Sequence, residues 1–226
     1  FKEHKESKFL VLLNPNDFQY GFEKVFATGD SEFIISDIDN ESSDLYGLIS
    51  YDFKNIQYDI QSLNKSHINV PDSAFFEARN VVKEFDFDLA TKDLPKIEFQ
   101  EVETKEEYIT TVNKIKQHIH NGDVYELNYC TSFFAENVDI DPVDLYAILN
   151  KISPMPFSSL FKFDELWVIC ASPERFLKKS NKKLLSQPIK GTIKRGDTKE
   201  EDEAFKAELK GSVKERSENL MIVDLV

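Results

Sequence analysis

The residues best suited to chemistry in this sequence lie in Gln187-Pro188-Ile189-Lys190-Gly191-Thr192. A rigid proline turn precedes a lysine, and the following glycine lets the backbone approach a bound group closely. Thr192 adds a hydroxyl that can donate or accept. An amine attacks only when neutral, and at a reference pKa of about 10.4 only about one lysine in a thousand is neutral at about pH 7.4. Burial or a neighbouring cation has to supply the rest. The same six residues also read as a solvated Lys-Gly turn.

Carboxylates flank this segment in sequence. In Ala171-Ser172-Pro173-Glu174-Arg175-Phe176, Pro173 biases Ser172 toward extended geometry and sets Glu174 at a strand edge. A carboxyl group there can manage a proton if burial raises its pKa above about 4.3. A surface turn with a local ion pair is the plainer alternative. Glu215 and Glu218 are three residues apart and share one helix face, as a cation site or as a solvated stripe.

Taken in order and spacing, Asn121–Tyr129, Ala171–Phe176, Gln187–Thr192 and Lys214–Leu225 resemble motifs of the chorismate-utilising enzymes. The resemblance is strong over about residues 105–226 and weaker around Leu45–Asp52. Anthranilate, isochorismate and salicylate synthases typically carry alanine at the position of Lys190, so Pro-Ile-Lys-Gly-Thr looks like aminodeoxychorismate synthase component I. That family implies an α+β fold of antiparallel sheets packed face to face, with helices outside.

The resemblance also implies roles. Lys190 would add at C2 of chorismate as the C4 hydroxyl leaves, with Glu174 handling its proton. Gly191 and Thr192 would contact substrate, with Arg195 as a further candidate. Glu218 would bind Mg2+, with Glu215 in the same carboxylate cluster. Ammonia would come from a separate glutamine amidotransferase subunit, since nothing here resembles a Cys-His glutaminase centre. Glu126 stands where related enzymes often have glutamine. It also stands where isochorismate and salicylate enzymes have a basic lysine, which counts against that chemistry and favours an orienting role. Family members continue past the Asn-Leu-Met-Ile-Val-Asp-Leu segment, and this chain starts at Phe1. It is therefore expected to be the N-terminal portion of a longer enzyme, inactive by itself, with further metal ligands outside it. The competing readings are anthranilate synthase component I and a non-catalytic glutaminase-binding or regulatory module.

Positioning these residues requires particular elements. Thr104 with Glu107 makes a capping box, and Tyr108, Ile109, Val112, Ile115 and Ile119 recur on one face, so a helix is expected over about 105–120. Asn121-Gly122 stops it. His118 and His120 do not share a face and read as surface residues. Alternation over 124–130 predicts a strand. Phe161–Cys170 reads as two strands meeting at Asp164-Glu165. Leu184–Lys190 returns after a Ser180-Asn181 turn, bringing Lys190 near Glu174. Ser212 with Glu215 repeats the capping pattern and opens a final helix. Earlier, Phe9–Leu13, Phe33–Ile35 and Asp44–Phe53 read as strands, with a turn at Gly29-Asp30-Ser31. Structure resumes at Phe75-Phe76-Glu77. Ser62–Asp72 reads as a loop and Asp86–Lys96 as a charged connection, placing a soft boundary between residues 1–95 and 96–226.

Composition sets outer limits. A net charge of −13 argues against nucleic acid or an anionic membrane as partner. It also means that a dianionic substrate needs a local positive site. Two cysteines cannot make a disulfide framework, and buried reduced thiols are expected. No apolar run reaches about 18 residues and the start has no signal-peptide hydrophobic region, so the expected compartment is the cytoplasm.

Overall fold

The apolar run Phe-Leu-Val-Leu-Leu forms the centre of the molecule because both of its faces are covered. It lies in β1 (Phe9–Asn14), and the computed structural model describes residues 4–33, 44–58, 60, 67–85 and 94–225. β1 pairs on one side with β2 (Val25–Gly29) and on the other with β9 (Phe157–Phe163). β6 (Asn80–Val82) and β10 (Leu166–Ser172) complete a five-stranded antiparallel sheet, ordered β10-β9-β1-β2-β6. Its strands come from both sides of residue 95.

Alternate side chains of β1 enter two cores, as strand geometry requires. Phe9 and Val11 join Val25, Ala27, Phe161 and Phe163 against Ala74 and Phe76 of a second sheet. That sheet contains β3 (Ser31–Phe33), β5 (Ser73–Glu77) and β4 (Leu45–Ile49), all antiparallel. The Phe9 ring lies 5.6 Å from Phe76 and 4.5 Å from Phe163. On the opposite face, Leu10, Leu12, Phe26 and Leu160 pack on Val143 and Tyr146 of α3 (Pro142–Ile152). Asp141 caps α3, accepting from the backbone of Val143 at 2.9 Å. The architecture is therefore α+β, with two sheets face to face and a helix outside, as the resemblance implied.

The motif-bearing stretch is built differently. α2 (Lys105–Asn121) has the expected Thr104–Glu107 capping box and ends at Gly122, whose φ of 81° is left-handed. Its apolar face stays partly open, with Ile109 47% exposed. α4 (Lys199–Gly211) and α5 (Val213–Leu225) follow the hairpin of β11 (Arg175–Ser180) and β12 (Lys183–Gln187). None of α2, α4 and α5 carries a buried residue.

Some expectations need correction. Residues 124–130 form no strand; the ladder is the short pair β7 (Gln100–Glu101) with β8 (Phe133–Phe134). Alternation alone does not make a strand where no partner offers hydrogen bonds. The Asp44–Phe53 strand is shorter, Leu45–Ile49, and Phe53 instead begins α1 (Phe53–Tyr58). The Gly29–Ser31 turn narrows to Asp30 between two strands. Both cysteines are free as expected, but Cys130 is exposed and Cys170 only half-buried. The expectations for residues 34–35, 61–66 and 86–93 fall outside the described residues.

Candidate active site

Two turns bring Glu174 beside the lysine segment. β9 and β10 meet at Asp164-Glu165, with Asp164 at φ 51°. β10 then ends at Ser172, whose hydroxyl donates to the Glu174 carbonyl at 3.0 Å and accepts from the Glu174 amide at 3.3 Å. The β11–β12 hairpin turns at Asn181 (φ 52°) and sets Arg175 opposite Gln187, with an irregularity between Arg175 and Lys178. Glu174 therefore faces the segment after Gln187. Its carboxylate accepts from the Ile189 amide at 2.9 Å.

Lys190 and Gly191 line a cleft of about 640 Å³, closed on the far side by α4 and α5 through Leu209, Val213, Glu215, Arg216 and Leu220. Gly191 has φ 82°, and a Cβ built there would stand 3.1 Å from Glu215 Oε2. The left-handed backbone favours glycine here, and a side chain would also sit tightly against Glu215 of α5. Thr192 is exposed and does not line this cleft. Lys190 and Glu174 are also exposed, so the burial that would suit a nucleophilic amine and an acid carboxyl is not supplied by the described residues.

α5 starts at Ser212, whose hydroxyl accepts from the Glu215 amide at 3.3 Å. The adjacent Lys214 ammonium lies 3.0 Å from Glu215 Oε1 and 3.4 Å from Glu218 Oε1. Bonds to Glu215 and Glu218 push the Lys214 pKa up. The two glutamates thus converge on one cation. Among the described residues, no group of three or more His, Cys, Asp or Glu side chains gathers as a metal site.

Arg195 is engaged elsewhere. It makes two bonds to Asp202 of α4, at 2.6 and 2.7 Å, while Lys194 stacks over Phe205 at 4.9 Å. Arg195 is thus an exposed member of an ion pair with Asp202, alongside its reading as a further substrate contact. Its bonds hold Asp202 below the usual carboxylate range, helped by the Gly196 amide. His118 pairs with Asp123 at 2.8 Å on the surface, which agrees with a surface role. One oxygen of Glu126, Oε2, is buried without a hydrogen-bond partner.

Sequence reasoning missed Lys214, Arg216 and α4. The signals were present: Lys214 is spaced for an i,i+4 pair with Glu218, and Thr198 with Glu201 forms a capping box. Arg175 was read only as part of a local ion pair. Its guanidinium instead donates to Gln187 Oε1 at 3.0 Å and to the Tyr20 carbonyl at 2.5 Å.

Residues 22–226 match the family described as chorismate binding enzyme. The chain is 39% identical over 118 residues to a probable anthranilate synthase component 1 of Schizosaccharomyces pombe, covering 52% of this chain and 24% of that protein. It is 38% identical over 122 residues to aminodeoxychorismate synthase component 1 of Bacillus subtilis, covering 54% and 26%. The Escherichia coli aminodeoxychorismate synthase component 1 is 31% identical over 153 residues, covering 68% and 32%. The matches therefore span about a quarter to a third of these relatives' lengths. The fold is shared with anthranilate synthase component I of Streptococcus pneumoniae TIGR4, at a TM-score of 0.69 and 21% identity, covering 97% of this chain and 60% of that one.

Proposed function

The chain belongs to the chorismate binding enzyme family, and from that premise we propose that it serves aminodeoxychorismate synthesis. The reaction converts chorismate and ammonia to 4-amino-4-deoxychorismate and water, on the route to p-aminobenzoate and folate. The observation that carries this reading is a lysine, Lys190, on the wall of a cleft that also presents Glu215. Relatives named aminodeoxychorismate synthase support it.

Lys190 forms a bond to C2 of the ring, the double bonds shift, and the C4–O bond breaks. Glu174 delivers the proton with which the hydroxyl leaves as water. Ammonia then bonds to C4, the double bonds shift back, the lysine nitrogen leaves C2 as the neutral amine, and the new ammonium at C4 returns a proton to Glu174. Covalent catalysis divides one hard displacement into two easier ones. Ile189 fixes the Glu174 carboxylate through its amide, and Gly191 lets the backbone after Lys190 lie against Glu215 of α5.

Glu218 and Glu215 fit Mg2+ in donor chemistry, because both carboxylates already converge on the Lys214 cation. Carboxylate oxygens are the donors magnesium prefers, and two of them make only part of a strong site, so further ligands are expected from outside these residues. When bound, the ion supplies positive charge toward the substrate carboxylate in a protein of net charge −13. Ammonia is supplied by a glutamine amidotransferase subunit. The acidic chain takes neither nucleic acid nor an anionic membrane as partner, and no helix among the described residues is long and apolar enough to cross a membrane. We place the protein in the cytoplasm.

The match to a probable anthranilate synthase component 1 at 39% identity supports a second reading. Product analysis separates the two. The whole enzyme is given chorismate and an ammonium salt, and the products are identified by mass spectrometry. Aminodeoxychorismate retains the enolpyruvyl group, whereas anthranilate appears with free pyruvate. Anthranilate as the sole product rejects the first reading.

A further inference from the structure

The hairpin carrying the candidate site has little packing to hold it in place. Phe176 is 93% exposed and Leu184 66%, so its apolar side chains do not anchor it. The β11–β12 pairing fixes the strands to each other and says nothing about where the pair sits on the sheet sandwich. Arg175 supplies such a connection. Its Nε donates to Gln187 Oε1 at 3.0 Å, its second guanidinium nitrogen donates to the Tyr20 carbonyl at 2.5 Å, and the group lies 4.9 Å from the centre of the Phe157 ring.

The far end of this connection is firmly placed. Phe157 is buried in β9, and its ring meets Phe22 edge-on at 5.2 Å. The Phe22 amide donates to the Pro156 carbonyl at 3.0 Å. At Gly21 a Cβ would fall 2.4 Å from the Pro156 carbonyl oxygen, so the loop bearing Tyr20 is pressed against the start of β9. The near end sits at the site: Arg175 follows Glu174, and Gln187 precedes Pro188-Ile189-Lys190. A single planar cation therefore joins the sandwich to the residues flanking both chemical groups. Its fork serves two acceptors while its face meets a ring, which a lysine cannot reproduce.

We propose that Arg175 is the positioning residue of this site, holding Glu174 on the Ile189 amide and thereby placing Lys190. The catalytic part of the claim rests on the proposed reaction; the positioning part does not.

The test is site-resolved amide exchange by NMR on the whole enzyme, alongside its steady-state kinetics with chorismate and ammonia. In Arg175→Ala, exchange at the Ile189 amide rises about tenfold or more, as expected for loss of charge-assisted bonds, while Leu10 and Leu12 in β1 keep their protection. Gln187→Leu gives the same local effect. Gln187→Glu retains an acceptor and keeps protection, whereas Arg175→Lys does not restore it. In turnover, Arg175→Ala lowers kcat about tenfold or more with KM nearly unchanged. Unchanged exchange at Ile189 in Arg175→Ala overturns the proposal. So does an equal rise at Leu10 and Leu12, which makes the arginine a general stabiliser. If the wild-type whole enzyme leaves chorismate untouched, the proposed reaction falls, and the exchange data still decide the Arg175 link.

Discussion

Gly191 lies against Glu215, so that a Cβ on the glycine would stand 3.1 Å from the glutamate Oε2 and 3.2 Å from its Cβ. This contact joins the lysine segment to the first turn of α5, two pieces separated in sequence by all of α4. Gly191→Ala meets both a left-handed backbone and an occupied space. It is expected to destabilise the protein by about 1–3 kcal/mol, read as a lower urea midpoint. A variant matching wild type would mean that the segment and α5 are not held together in solution.

The pH dependence of stability has a source on α4. Arg195 and the Gly196 amide hold Asp202 below its usual range. A depressed folded pKa gives stability that is present above the unfolded value, about 3.9, and lost as pH falls through the folded value. Asp202→Asn should therefore flatten the acid side of the stability profile while changing its slope little above about pH 6. Urea titrations across the acid range measure this, and an unaltered acid slope would count against the Arg195 pair.

Much of this arrangement was legible before the fold. The Phe9–Leu13 run, the Asp164-Glu165 turn and the Thr104–Glu107 cap each carry a local cause, and each appears where expected. Glu174 and the lysine segment were also expected to approach, and the Ile189 amide joins them. What failed depended on distant partners. Residues 124–130 alternate correctly but find no ladder, and Arg175 binds a carbonyl 155 residues away in sequence. Gly191 lines the cleft as its reading required, and nothing in the sequence signalled that Glu215 of α5 would stand beside it.

The carboxylate pair gives a metal prediction. In the whole enzyme, Glu218→Gln should abolish magnesium-dependent turnover while leaving the circular dichroism spectrum unchanged. Residues 1–226 alone should bind magnesium weakly, since among the described residues only Glu215 and Glu218 converge there and the Lys214 ammonium already lies between them. Calorimetry that finds tight, stoichiometric binding to these residues would contradict the expectation that further ligands lie outside them.

Lys190 decides the reaction. In the whole enzyme given chorismate and ammonia, Lys190→Ala should slow aminodeoxychorismate formation strongly, because losing a covalent route costs several kcal/mol and each 1.36 kcal/mol is about tenfold in rate. Ammonia at high concentration should restore part of the rate by direct attack at C4. Without ammonia, intact-protein mass spectrometry of wild type plus chorismate should reveal an adduct that peptide mapping places on Lys190. The exposure of Lys190 sharpens the test, because the amine must be neutral to attack and the described residues do not bury it. If no adduct forms and the alanine variant keeps full activity, Lys190 is a turn residue and the aminodeoxychorismate assignment loses its main support.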